Sequence, residues 1–269
     1  MRETTPLNHL LIIDPQNDFC DLPGSALPVP GADADMRRLA DFIRARGDAL
    51  DAITVTLDSH SPMDIAHPAW WQDASGASPA PFTRITAGDV EAGRWRARDP
   101  ARQEASLRYV HDLARTNKNV LVVWPEHCLV GSPGHNIHAA LRTELDAWAR
   151  RKLRPVTMVV KGLNPATEHY SAVRADVPDP ADPGTQTNRA LVDSIAAADR
   201  VLVAGEALSH CVAATVSDLA GDVPGLAKRT TLLVDATSNV SGFEALGEAF
   251  VATLGAQGMA RATTTEVAL

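Results

Sequence analysis

The feature that most constrains this chain is a series of short, apolar, largely β-branched runs, at residues 10–13, 53–57, 156–160, 201–204 and 232–234, with a further candidate at 120–123. Runs of this length without polar alternation mark strands buried on both faces, as they are in a parallel sheet. Longer segments of helical periodicity lie between them, at about 33–47, 138–152, 187–198, 211–220 and 243–255. The alternation predicts an α/β fold: a three-layer, doubly wound, mostly parallel sheet of about six strands in Rossmann-like order. The 269 residues, 45% of them hydrophobic, are enough for one large core, and the chain reads as a single domain over 1–269. Residues 61–118 break the pattern with Pro, Gly, mixed charge and Trp70, Trp71 and Trp95. They read as an insertion near the rim of the sheet, with one helix across 99–116, acting as a partial lid or subunit contact.

Charge and cysteine usage remove several function classes. A formal net charge of -8 offers no basic surface for phosphates or an anionic membrane. The residues before position 10 are too short for a secretory signal, and no apolar run approaches the roughly 18 residues of a membrane span. Cys20, Cys128 and Cys211 are widely separated and odd in number, which reads as reduced thiols. The expectation is a cytoplasmic homo-oligomer that handles a small molecule and neither nucleic acid nor membrane.

Polar residues follow the runs directly: Asp14, Asp58, Lys161, Gly205-Glu206-Ala207 and Asp235. In open α/β sheets the carboxyl ends of the strands border the ligand crevice, so these groups are delivered to one rim. After the 201–204 run comes a small-residue turn and a helix opening at or near Cys211. A thiol there feels the positive end of the helix dipole, which favours the nucleophilic thiolate, and the nearby amides can hold an oxyanion. A buried cysteine packing as a small apolar side chain fits the same position. Asp14 is suited to accept the thiol proton and return it to a leaving amine, and Lys161 to stabilise either charge; an N-cap aspartate and a solvated lysine are the alternatives.

A second constellation is Asp58-Ser59-His60 with Trp124-Pro125-Glu126-His127-Cys128. Asp58 and His60, two apart on an extended segment, project to one side. One more histidine completes a three-ligand site with a position left open, the arrangement of catalytic zinc. Cys128 points away from His127 in an extended chain and is not counted as a ligand. His67, His135, His138 and His169 read as surface or hydrogen-bonded histidines, and Asp235 as a hydrogen-bonding or capping residue.

With these blocks in hand, the chain resembles the nicotinamidase group of the isochorismatase-like cysteine hydrolases. The resemblance rests on Asp14-Pro15-Gln16-Asn17-Asp18-Phe19, Asp58-Ser59-His60, Trp124 to Cys128, Lys161 with Tyr170-Ser171, and Gly205 to Cys211, in that family's order. It implies a catalytic triad of Asp14, Lys161 and Cys211, and metal ligation by Asp58, His60 and His127. It also implies a cis peptide at Glu206–Ala207 and an oxyanion hole from the amides of Ala207 and Cys211. The activity so implied is zinc-assisted hydrolysis of a small amide through a thioester, nicotinamide first, with carbamoyl, ureido or maleamate-like amides as the runner-up. A hydrolase using metal alone and a binding protein without turnover are the competing classes. Phe19, Trp124, Tyr170 and His210 are the expected pocket walls, core packing being the alternative for the aromatics. The chain departs from the family at Ser59, where Trp is common, at Ala66-His67-Pro68, where an aromatic is expected, at His210 before the nucleophile, and in the length of the segment between His60 and His127.

Overall fold

The computed structural model describes residues 6–116 and 120–269. The amino-terminal stretch judged against a secretory signal therefore lies mostly outside the described residues, as do the last two residues of the 61–118 segment. Among the described residues, ten strands and seven α-helices follow in chain order: β1 (Asn8–Ile13), α1 (Ala32–Arg46), β2 (Ala52–Asp58), β3 (Trp71–Gln72), β4 (Arg84–Ile85), α2 (Ala87–Glu91), β5 (Arg96–Ala97), α3 (Gln103–Thr116), β6 (Leu121–Val122), α4 (Ala139–Lys152), β7 (Thr157–Lys161), α5 (Arg189–Ala196), β8 (Arg200–Gly205), α6 (Ala213–Asp222), β9 (Thr230–Leu233), α7 (Glu244–Ala256) and β10 (Ala260–Ala262).

Six strands form one parallel sheet in the order β10-β9-β8-β1-β2-β7. β1 is buried along its whole length at the centre. Successive strands are added on one side of β1 through β2 and β7, then on the other through β8, β9 and β10. Right-handed crossovers in opposite directions place helices on opposite faces, and α1 packs on α4 while α6 packs on α5 and α7. The topological switch point falls at β1, where such sheets open a crevice.

Local chemistry explains the elements. In α1, Met36, Leu39, Ala40 and Ile43 share the buried face, acidic Asp33 and Asp35 sit in the first turn, and basic Arg44 and Arg46 in the last, each favourable to the helix dipole. The helix ends at Gly47, whose missing side chain admits Trp148 of α4; the indole donates to the Gly47 carbonyl at 2.9 Å.

The 120–123 run is not a strand of the main sheet. Leu121–Val122 pairs antiparallel with β4, and the sixth strand of the sheet is the short β10, whose Ala-Arg-Ala sequence lacks an apolar run. The helix expected over 99–116 begins as a 3-10 turn at Pro100–Arg102 before α3. Trp70 and Trp71 are buried, donating to Ser106 Oγ at 3.0 Å and the Ile65 carbonyl at 2.7 Å, so they join the hydrophobic core and do not form an exposed patch. No helix among the described residues is long and apolar enough to cross a membrane.

Candidate active site

Register builds the site. Ile13 pairs with Gly205 and Asp58 with Lys161, so the carboxyl ends of β1, β2, β7 and β8 stop at one level, with Asp14 just beyond. Asp14 has φ 40, a left-handed conformation uncommon outside glycine, asparagine and aspartate, and its amide donates to Thr56 Oγ1 at 3.0 Å while its carboxylate accepts from the same hydroxyl. Gln16 locks the turn: its Nε2 donates to the Asp58 carbonyl at 2.8 Å, and its Oε1 accepts from the Asp58 amide at 2.7 Å. Asp18 accepts from the Cys128 amide at 2.7 Å, anchoring the loop that carries His127. The Asp14 to Phe19 block is thus a scaffold as well as a source of one carboxylate.

At the centre, the buried Lys161 ammonium lies 2.9 Å from Asp14 Oδ2, 2.8 Å from Asp58 Oδ1 and 3.6 Å from Cys211 Sγ, and donates to the His169 carbonyl at 2.8 Å. Burial opposes the charge on Lys161, but Asp14 and Asp58 more than offset it and hold the amine well above its usual range. Burial likewise raises the Asp14 carboxyl, with Lys161 pulling it back. Cys211 differs from expectation. It lies in a π-helical turn, Leu208–Val212, that leads into α6, and it is almost wholly buried, so desolvation pushes the thiol well up, with Lys161 opposing. Asp14 adds to the upward push on the thiol, so burial and Asp14 work against the lowering expected from a helix start, while Lys161 works with it.

The turn that presents Cys211 follows the cis Glu206–Ala207 bond and is pinned by its neighbours. Leu208 N donates to the Ser238 carbonyl at 2.8 Å, and Val240 N to Ser209 Oγ at 3.1 Å. The Ala207 amide meets no acceptor among the described residues.

Asp58, His60 and His127 lie together: Asp58 Oδ2 is 3.0 Å from His60 Nε2 and 3.3 Å from His127 Nε2. His67 joins them, against its reading as a surface or merely hydrogen-bonded histidine. It is fully buried, and donor atoms of His60, His67 and His127 lie within 4.8 Å of one another. The donor set fits a divalent metal. His60 Nδ1 faces Asp64 Oδ2 at 2.9 Å, His67 Nδ1 the Ser61 carbonyl at 3.1 Å, and His127 Nδ1 the Pro125 carbonyl at 2.8 Å. With those nitrogens assigned as donors, His60 and His127 turn Nε2 toward Asp58, the orientation that metal-binding histidines take, while His67 Nε2 lies 3.3 Å from His127 Nδ1. Burial, with His127 and His60 adding to it, brings His67 down to about 2, so the ring is neutral and able to ligate. The signal for His67 was its place in the loop that already carried the Asp58-Ser59-His60 pair.

The other histidines separate. His135 bonds Ser59 Oγ at 2.8 Å and His138 bonds Asp33 at 2.9 Å, as hydrogen-bonded histidines do, whereas His169 is buried beside Gly162 with Nε2 unpartnered. Cys128 is buried and stands outside the metal-competent cluster. Asp235 accepts from the amide and hydroxyl of Thr264 at 2.7 Å each, holding the chain after β10.

A narrow cavity of about 20 Å³ opens onto Cys211. Phe19, Trp124, Tyr170 and His210 all line it, together with Ala207 and Asp58. Trp124 donates to the Tyr170 hydroxyl at 2.8 Å and meets His210 edge-on at 5.1 Å, while Phe82 of the 61–118 segment packs on its other side at 5.8 Å. Glu168, absent from the sequence-based set, also lines the cavity, and burial, opposed by His60, pushes its carboxyl up to about 7. A larger groove between α7 and β9–β10, lined by Leu232, Val251 and Met259, contains none of these groups.

No family model matches the chain. It is 28% identical over 218 residues to the nicotinamidase of Escherichia coli K12, covering 79% of this chain and 76% of that protein. An Acinetobacter baumanii nicotinamidase/pyrazinamidase superposes with a TM-score of 0.66 at 21% identity, covering 98% of this chain and 99% of that one. A Pyrococcus horikoshii pyrazinamidase solved in complex with zinc gives 0.58 at 20% identity, covering 96% and 99%. The chain has the isochorismatase-like α/β fold, and both in sequence and in architecture it resembles the nicotinamidases and pyrazinamidases.

Proposed function

We propose that this protein is a metal-assisted cysteine amidohydrolase, a hydrolase of non-peptide C–N bonds whose first candidate substrate is nicotinamide. The observation that carries the reading is the buried Lys161 ammonium held between Asp14, Asp58 and Cys211. One cation there binds the base, the nucleophile and the metal-facing carboxylate into a single electrostatic unit. The similarity to the Escherichia coli nicotinamidase supports the substrate class.

In the proposed cycle Asp14 takes the Cys211 proton as Sγ attacks the amide carbon, and Lys161 offsets the charge on the pair. The amides of Ala207 and Cys211 hold the oxyanion. The protonated Asp14 passes its proton to the nitrogen, the C–N bond breaks, and ammonia leaves a thioester. Asp14 then takes a proton from water, the hydroxide adds to the thioester carbon, and the C–S bond breaks as Asp14 returns that proton to Sγ, releasing the acid and restoring the thiol. Asp58, His60, His67 and His127 would hold the metal, zinc by the likeness to the zinc-bound pyrazinamidase. Bound there, it supplies a Lewis acid at the cavity wall that can orient a heteroatom of the substrate. Trp124, Phe19, Tyr170 and His210 stack on and exclude water from a flat ring.

The test is ammonia release from nicotinamide by purified protein, before and after chelation and zinc re-addition. Cys211→Ala is expected to lower turnover by about 10³-fold or more while leaving bound zinc unchanged. Substantial turnover by Cys211→Ala defeats the cysteine mechanism, and metal-independent release defeats the metal role. A carbamoyl or ureido substrate is the second reading, favoured by Glu168, which gives the cavity wall an additional hydrogen-bonding carboxyl. Turnover of such an amide with none of nicotinamide would select it.

A further inference from the structure

The two edges of the main sheet are finished differently. β10 is three residues long with Arg261 exposed, the usual protection of an edge strand by brevity and charge. β7, at the other edge, is five residues long. Its outer positions are apolar, with Met158 40% and Val160 49% exposed, and Leu163 just beyond is 66% exposed. Its one charged residue, Lys161, is turned inward to Asp14 and Asp58 and protects nothing. Ahead of the strand, Leu153 closes α4 at φ 51, where glycine or asparagine is favoured, and leaves its side chain 90% exposed. A bare, apolar edge of this kind is a template for another strand.

We infer that β7 is the homodimer edge of this protein, pairing antiparallel with β7 of a second copy about a two-fold axis at Val159. The strand is complementary to itself in two respects. Met158 and Val160, two residues apart, share one face of the sheet; centring on Val159 sets Met158 opposite the partner's Val160 and Val160 opposite the partner's Met158, closing an apolar cluster over the join. The same register sets Arg154 opposite the partner's Asn164. In each chain Asn164 Nδ2 donates to Asp182 at 2.9 Å, which holds the acidic turn of Asp179 and Asp182 beside the carboxyl end of β7. Exposed Arg150 and Arg154 lie at the amino end. Antiparallel pairing therefore brings basic end to acidic end twice, once at each side of the axis. A foreign strand would satisfy one such end at most. Because Lys161 is the last residue of β7, the join also holds the strand that carries the central ammonium.

Sedimentation equilibrium of the full chain across a micromolar dilution series is expected to give twice the 28.6 kDa chain mass. Val160→Lys should raise the dimer dissociation constant by about tenfold or more, with an unchanged far-ultraviolet spectrum, and Arg154→Glu should raise it less. A monomeric parent protein, or a dimer unaffected by Val160→Lys, overturns the proposal. If Val160→Lys fails to fold, Val159→Cys decides: mild oxidation should link two chains through position 159 on the axis, and failure to link rejects this register.

Discussion

Side chain by side chain, the site is governed by burial and by one cation. Desolvation raises Asp14 and Cys211 together, and Lys161 works against both shifts. Asp64 acts one step further out by holding His60 Nδ1. Asp64→Ala is expected to weaken zinc binding by about 10–100-fold in a chelator competition titration, with the fold retained; unchanged affinity would mean that His60 is oriented by something else. Glu168 should titrate in the working range. Its carboxyl, raised to about 7, is protonated below that pH and charged above it. If the neutral form lines the productive cavity, kcat/KM falls as pH rises through 7, and Glu168→Gln removes that limb. A limb that survives the substitution belongs to another group.

At the level of strands and helices, function depends on where elements stop. Gly205 closes β8 at φ +109, and a Cβ there would sit 2.0 Å from the Ile13 carbonyl oxygen of β1. Gly205→Ala must push apart the two strands whose ends carry Asp14 and the turn that presents Cys211. It should cost about 3–5 kcal/mol by chemical denaturation and lose activity together with stability. On the other side of the sheet the α1–α4 contact turns on Trp148 against Gly47, so Trp148→Ala should cost about 3–5 kcal/mol while leaving the metal cluster intact. A Trp148→Ala variant of parental stability would show that α1 and α4 are held elsewhere. Helix limits were legible to within a few residues because periodicity and turn residues mark them. β10 was not, because a three-residue edge strand with an exposed arginine lacks an apolar run.

For the molecule as a whole, buried neutral histidines link stability to pH. His9, packed against Thr54 Oγ1 at 2.8 Å, is lowered by burial to about 4, opposed by a backbone hydrogen bond at Ser194. Between its unfolded value of 6.5 and about 4, the unfolded chain binds a proton that the folded chain refuses, so this residue's contribution falls as pH falls. Other buried groups shift in the opposite sense, among them Glu168 and Glu206, so the clean readout is a difference. Relative to the parent protein, His9→Gln should gain on the order of 3 kcal/mol between pH 6.5 and 4 as measured by denaturant midpoints. A constant difference across that range would show that His9 is protonated in the folded state.

The sequence by itself determined the parallel α/β class, the delivery of Asp14, Asp58 and Lys161 to one rim, and the projection of Asp58 and His60 to one side; His127 was named as their partner only by the family resemblance. The first three rest on local signals: the length of an apolar run, the residue after it, and a two-residue spacing on extended chain. Only the tertiary structure decided the rest. His67 joins the candidate metal-binding cluster because the loop after β2 folds back over His60 and His127, a closure that spacing does not encode. Trp70 and Trp71 are core because α3 and the Ile65 carbonyl cover them. The Cys211 thiol is pushed up by its burial, with Lys161 opposing, and burial is a property of the packed chain and not of the residues around it in sequence.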